Sequence, residues 1–268
     1  MSTRPENAPA SPPKPLAECG VVVLGGCAGV GWEAAAQFAG QGARVLILGR
    51  NDERGAAACA RLRERAPKAD IGFVRVDATI AADAVRAEAQ CRARLGAIDV
   101  LVCTTGPSVP PRLMHNIAIE DLQQRIEEIM LPPLHFVHAA LPAMRQQRSG
   151  AIVVVASDAG KIPTPGETMV GAAMGAILTY CKTAALECKR ENVRINLLTP
   201  SLISDTPGAA LIFNEPFSAK MFEKASSMAH LGVADCADQA AMILYLASPA
   251  ARRMTGQAIS INGGISVA

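Results

Sequence analysis

Aromatic residues are scarce in this chain: one Trp, two Tyr and six Phe among 268 residues. Binding of nucleic-acid bases by stacking needs aromatics interleaved with basic side chains, and neither those nor a Lys/Arg run is present. A formal net charge of +2 gives no field for drawing in a polyanion. The eight cysteines fall at 19, 27, 59, 91, 103, 181, 188 and 236 without Cys-x-x-Cys or Cys/His spacing. That excludes a zinc ribbon or a disulfide scaffold and suits reduced thiols in the cytoplasm; no metal site is expected. No apolar run is read as reaching the roughly 20 residues of a bilayer span. Residues 1–16 hold five prolines and almost no large apolar residue. They are expected to be a disordered tail, because they lack both a core and the apolar stretch of a signal peptide.

Half the residues are hydrophobic, mostly Ala, Val, Leu and Ile, in a chain long enough for one sizeable core. Short β-branched runs alternate with longer helical patterns. Strands are predicted at 20–24, 43–48, 71–76, 99–103, 151–156, 193–198 and 258–261, and helices at 29–40, through 65, and near 79–95, 118–147, 167–189 and 235–248. Such alternation requires crossover connections and a parallel sheet covered on both faces. The expected fold is therefore α/β, a Rossmann-type doubly wound seven-stranded parallel sheet in a single domain over 17–268. Residues 199–230 read as its longest irregular stretch and as a lid.

Leu24-Gly25-Gly26-Cys27-Ala28-Gly29-Val30-Gly31 joins the first strand to the first helix. Gly25, Gly29 and Gly31 allow a tight turn, close approach of backbone to a pyrophosphate, and close helix–strand packing. The same glycines could also serve packing alone. The second strand ends Leu48-Gly49-Arg50. No carboxylate stands there to accept from the ribose hydroxyls of NAD, whereas Arg50 suits a 2′-phosphate, so NADP(H) is the favoured cofactor if one binds. Asp77 ends the third strand, either facing the adenine or capping the next helix.

The Gly-x-x-x-Gly-x-Gly loop, Ser157-Asp158-Ala159-Gly160, Arg194-Ile195-Asn196, Thr255-Gly256-Gln257 and Asn262-Gly263-Gly264 together resemble the short-chain dehydrogenase/reductase family over residues 17–266. The resemblance implies an NAD(P)-dependent oxidoreductase with Ser, Tyr and Lys at its centre. It also implies that Asp77 contacts the adenine. The departures cluster at the chemistry. The family's Tyr and Lys map to Val170 and Met174, and its helix Asn maps to Ile129. Its Asn-Asn-Ala-Gly appears as Cys103-Thr104-Thr105-Gly106, and its Pro-Gly as Pro200-Ser201. A phenol near pKa 10 needs a nearby cation to exchange protons at neutral pH; Val and Met supply neither. Ser157 remains as a remnant with nothing to relay to.

The leading expectation is therefore a catalytically degenerate subunit that supports an active homologous dehydrogenase in a hetero-tetramer, or pairs with itself. It is similar in kind to the degenerate subunit of heteromeric family members such as the dehydrogenase acting on hydroxybenzylsuccinyl-CoA. The partner surface is placed on helices 118–147 and 167–189, with Val170, Ala173, Met174, Ile177, Cys181, Ala184 and Cys188 as a stripe of which part must pack on the sheet. The alternatives are an NADP(H)-dependent oxidoreductase or a non-redox enzyme with unusual acid–base groups, drawn from Asp158, Lys161, Glu167 and Thr168, or a cofactor-sensing regulatory protein. Neither nucleic acid nor a membrane is expected as a partner.

Overall fold

The computed structural model describes residues 14–107 and 110–268. Seven parallel strands form one sheet: β1 (Gly20–Leu24), β2 (Arg44–Gly49), β3 (Ile71–Arg75), β4 (Val100–Cys103), β5 (Gly150–Val155), β6 (Val193–Leu198) and β7 (Ala258–Ile259). Their order is β3-β2-β1-β4-β5-β6-β7. The chain reverses its winding between β1 and β4, and a crevice opens there at the carboxyl ends of the strands. The register Leu24↔Cys103 brings the glycine turn against the end of β4.

Alternation along each strand divides the core in two. Val22, Leu24, Leu46 and Leu101 face α3 (Ala81–Leu95), α4 (Leu122–Gln147) and α5 (Thr168–Cys188). Val21, Val23, Val45 and Val102 face α1 (Gly29–Gly40), α2 (Asp52–Arg65) and α8 (Cys236–Ala247). Strands β1 and β4 are buried throughout, as a parallel sheet covered on both faces requires. Arg194 of β6, 8% exposed, donates to the carbonyls of Leu246 (2.6 Å), Ala247 (3.0 Å) and Ala251 (3.1 Å). A buried guanidinium thus satisfies the orphan carbonyls at the end of α8 and pins that helix to the sheet.

Four expectations change. Residues 199–230 are not irregular: they hold α6 (Pro207–Phe213) and α7 (Pro216–Met228). Thr206 caps α6 by accepting from Ala209 N at 3.0 Å, and each helix carries proline in its first turn, where the missing N–H costs nothing. Residues 14–16, expected within the tail, are placed: Lys14 pairs with buried Asp99 at 2.7 Å, and Leu16–Glu18 form a turn of 3₁₀ helix. Residues 1–13 lie outside the described residues.

The stripe on α5 assigned to a partner faces the sheet instead. Val170, Ala173, Met174, Ile177, Cys181, Ala184 and Cys188 are all buried in the core of the single chain. Bulky and small apolar residues there fit the β5–β6 surface. The outward face carries Ala172, Thr179, Thr183 and Leu186, all exposed. Finally, Thr168–Glu191 is long and apolar enough to cross a membrane by composition, with mean hydropathy 1.3, so the chain does hold a run of bilayer length. Half of it is buried inside the domain, where it serves as a core helix.

Candidate functional site

The glycine turn is shaped first by the fold. A Cβ on Gly31 would lie 2.3 Å from Thr104 Oγ1 and 2.5 Å from the Gly25 carbonyl oxygen. One on Gly25, at φ +83°, would lie 2.8 Å from the same hydroxyl. Thr104 Oγ1 in turn donates to the Leu24 carbonyl at 2.9 Å, locking β4 to the turn. Gly25 and Gly31 are therefore required by packing whether or not a ligand binds. Gly29, at φ +54°, is different: it opens α1 and lines the crevice. Ala28 precedes it and offers no side-chain cap, so the first-turn N–H groups of a twelve-residue helix face the cavity without a side-chain acceptor.

Two features test whether a dinucleotide fits. Among the described residues Thr105 Oγ1 is buried without a hydrogen-bond partner, and Thr105 lines the same crevice as Gly29. An orphaned hydroxyl beside uncapped N–H groups matches a polar, anionic ligand at this end. At the adenine end, Arg50 is exposed, and its carbonyl accepts from Arg75 Nε at 3.2 Å. The two arginines end neighbouring strands, with Gly49 in register with Arg75. Arg75 was not singled out in the sequence, because it becomes relevant only when β2 and β3 pair. Asp77 spends one carboxylate oxygen on Thr79 N (3.1 Å) and Thr79 Oγ1 (2.6 Å), shaping the turn before α3. Neither Arg50 nor Asp77 lines the crevice itself.

The other end of the crevice is apolar. It encloses about 310 Å³, and Val170 and Met174 form part of its wall beside Ser157 and Val155. Val170 is 7% and Met174 2% exposed. Ile129 is likewise buried, and belongs to the core beneath. No phenol is near: Tyr180 lines an outer groove between α4 and α5, and Tyr245 sits exposed on α8. Where the nicotinamide ribose would need a cation, a thioether stands. The phosphate end of the crevice thus offers groups that suit a dinucleotide's phosphates, while its wall at Val170 and Met174 offers no cation. Such a cofactor would supply hydride, and Ser157 lines the same crevice.

Asp158 and Lys161 are held by contacts to the β7 segment. Asp158, 5% exposed, accepts from Ser260 Oγ (2.9 Å) and Asn262 Nδ2 (2.6 Å). Lys161 Nζ donates to Ser260 Oγ (2.9 Å) and the Ala258 carbonyl (3.2 Å). Both tie the turn after Ser157 to the β7 segment. Burial also draws the Lys161 ammonium below its usual pKa, against the nearby Asp158 charge. Thr168 is exposed at the start of α5. Glu167 behaves otherwise: burial pushes its carboxyl up to about 7, while a hydrogen bond from Thr164 pulls the other way. It lines the main crevice and also a second cavity of about 450 Å³ beneath α7.

None of the eight cysteines is bonded to another. Burial raises the Cys103 and Cys181 thiols, the latter to about 12, so they act as small core hydrophobes. Among the described residues no cluster of His, Cys, Asp or Glu is fit to hold a metal.

Residues 25–266 match a family model described as enoyl-(acyl carrier protein) reductase. The chain is 31% identical over 246 residues to the 3-oxoacyl-[acyl-carrier-protein] reductase FabG of Chlamydia trachomatis, covering 91% of this chain and 96% of that one. It is 28% identical to momilactone A synthase of Oryza sativa subsp. japonica, over 92% of this chain and 89% of the other. Among solved structures, levodione reductase superposes with TM-score 0.87 at 22% identity, covering 92% of this chain and 97% of its own. YwfH, an NADPH-dependent reductase of bacilysin biosynthesis, gives 0.84 at 22% identity, over 92% and 98% of the two chains. The fold, the motifs and these relatives agree: the chain belongs to the short-chain dehydrogenase/reductase family.

Proposed function

We propose that this chain is a short-chain dehydrogenase/reductase subunit that does not move hydride productively by itself and supports an active homologous subunit. The observation that carries this reading is the pair Val170 and Met174, buried in the wall where the family places its phenol and its ammonium. General acid–base catalysis is worth roughly 10²–10⁴ in rate. Here the proton relay and the ribose anchor are both missing, and Asp158 and Lys161 are engaged elsewhere. The uncapped start of α1, the orphaned Thr105 hydroxyl and the Arg50–Arg75 corner favour residual binding of NADP(H) over NAD(H). The free, buried cysteines suit a reducing compartment, and we place the chain in the cytoplasm.

A partner surface remains available on the outward side of α4 and α5. Their groove is lined by His138, Leu141, Arg145, Tyr180, Thr183 and Glu187, and Leu186 beside it is 63% exposed. The test is steady-state turnover of the purified chain with NADPH and NADH on a ketone panel, alone and after co-expression with an intact relative from the same genome. The expected result is no turnover above background alone and co-purification with the relative. Robust turnover alone that vanishes in Ser157→Ala removes the reading.

A further inference from the structure

Glu167 and Ser157 have a relationship that hydride chemistry does not use. Both line the main crevice and the cavity beneath α7, so they stand where the two spaces meet. Phe222 of α7, buried, and Ser201 are the other residues common to both spaces. Ser157 Oγ accepts from Ala159 N at 3.2 Å, which leaves its own proton to donate; among the described residues no acceptor takes it. Glu167 is held at the head of α5, its backbone carbonyl accepting from Gly171 N at 2.6 Å. A hydroxyl donor and a carboxylate therefore share the junction of two mainly apolar cavities.

We propose that Glu167 and Ser157 form a proton-transfer site for an apolar ketone or enone. The Glu167 carboxylate takes a proton from the carbon next to the carbonyl. The C–H electron pair moves into the C–C bond and the carbonyl π pair onto oxygen, giving an enolate whose oxygen accepts from Ser157 Oγ–H. Return of the proton to the same carbon completes an exchange. Return to the far carbon of a β,γ-enone completes an allylic isomerisation. Atoms and electrons balance without an oxidant, a reductant or a metal. This goes beyond the subunit reading, since a chain that moves no hydride can still carry it.

The elevated Glu167 pKa follows from its surroundings. Desolvation is the largest cause and the Asp158 carboxylate adds to it, against the Thr164 hydrogen bond. Lys220 and Lys224 of α7 line the second cavity but are exposed. Arg112, whose N–H donates to the Gly166 carbonyl at 2.9 Å, has its guanidinium near Glu215 at 3.7 Å. Lys161 is committed to Ser260 and Ala258. A base titrating near neutrality is well matched to abstracting a carbon-bound proton in the cell.

The experiment is deuterium uptake into 2-tetralone and isomerisation of cyclohex-3-en-1-one, with the full purified chain and no nicotinamide cofactor. The expected result is exchange about 10²-fold faster than with Glu167→Gln. The rate should rise with pH to a plateau, with a midpoint at about 7. Ser157→Ala should lose on the order of 10²-fold while keeping that midpoint, because it removes the oxyanion donor and not the base. Glu167→Asp, which keeps the charge if Gln perturbs the fold, should retain part of the rate. Wild-type exchange no faster than Glu167→Gln overturns the proposal, as does a profile still climbing beyond pH 9. Either failure leaves the subunit reading intact, because no hydride carrier is present.

Discussion

Two substitutions decide what this site can do, and both are legible as side chains before any coordinates. Val170 and Met174 sit four apart on α5, so they share a face, and the fold turns that face toward the crevice. Restoring the family pair is a direct test. Met174→Lys alone places an ammonium at a site 2% exposed among apolar core side chains. It should cost about 2–4 kcal/mol and lower Tm in thermal melts. In Val170→Tyr/Met174→Lys, NADP⁺ should raise Tm by more than it raises the wild type, because the ammonium gains ribose hydroxyls as acceptors. An unchanged ligand shift would show that these positions do not face the ribose. Glu167 gives a second residue-scale test, in stability. Its pKa is about 7 when folded, against an ordinary 4.5, so the folded state holds the proton more tightly. The associated stability is full below pH 4.5 and is lost as pH rises through about 7. Glu167→Gln should therefore melt above wild type at pH 8, and the gap should close toward pH 5. A constant gap across that range would contradict the buried carboxyl.

At the scale of elements, legibility depended on whether a segment's meaning was local. The strands were readable because fully buried parallel strands are continuous Val, Ile and Leu runs. The glycine turn was readable because its position between strand and helix is local too. What was misread depended on tertiary context. Residues 207–228 form two helices of seven and thirteen residues, interrupted at Asn214-Glu215, so no single apolar period runs through the whole stretch. Their start signals, Thr206-Pro207 and Glu215-Pro216, are local and stand in the sequence. The α5 stripe was assigned to a partner because both faces of that helix are apolar, and sequence alone does not say which one meets the sheet. Arg194 shows the same limit: within its motif it reads as a family mark, while its work is to end α8. Arg194→Ala leaves the carbonyls of Leu246, Ala247 and Ala251 without their buried donor. The expected loss is about 3 kcal/mol, measured by urea denaturation. A loss under about 0.5 kcal/mol, the range of ordinary surface substitutions, would mean that water replaces the guanidinium.

The whole molecule poses the question of what covers α4 and α5. The core stripe of α5 is buried within one chain, so a charge at Ala184, 7% exposed, would damage the fold itself. The case for assembly now rests on the opposite face. Ala172, Thr179 and Thr183 are small and exposed there, and small residues let a second helix approach closely. Leu186, 63% exposed, is a large apolar side chain left in water, where covering it would gain roughly 25 cal/mol per Å² of apolar area. In the proposed pairing this face would close on a two-fold axis, with a copy of itself or with a homologue that shares its shape. Leu186→Glu separates assembly from folding, because the residue lies outside both core clusters. The variant should melt like the wild type and elute as a smaller species by size exclusion with light scattering. It should also fail to capture an intact homologous subunit on co-expression. A variant with unchanged mass and unchanged capture would move the contact off α5, and with it the claim that this chain serves an active partner through that helix pair.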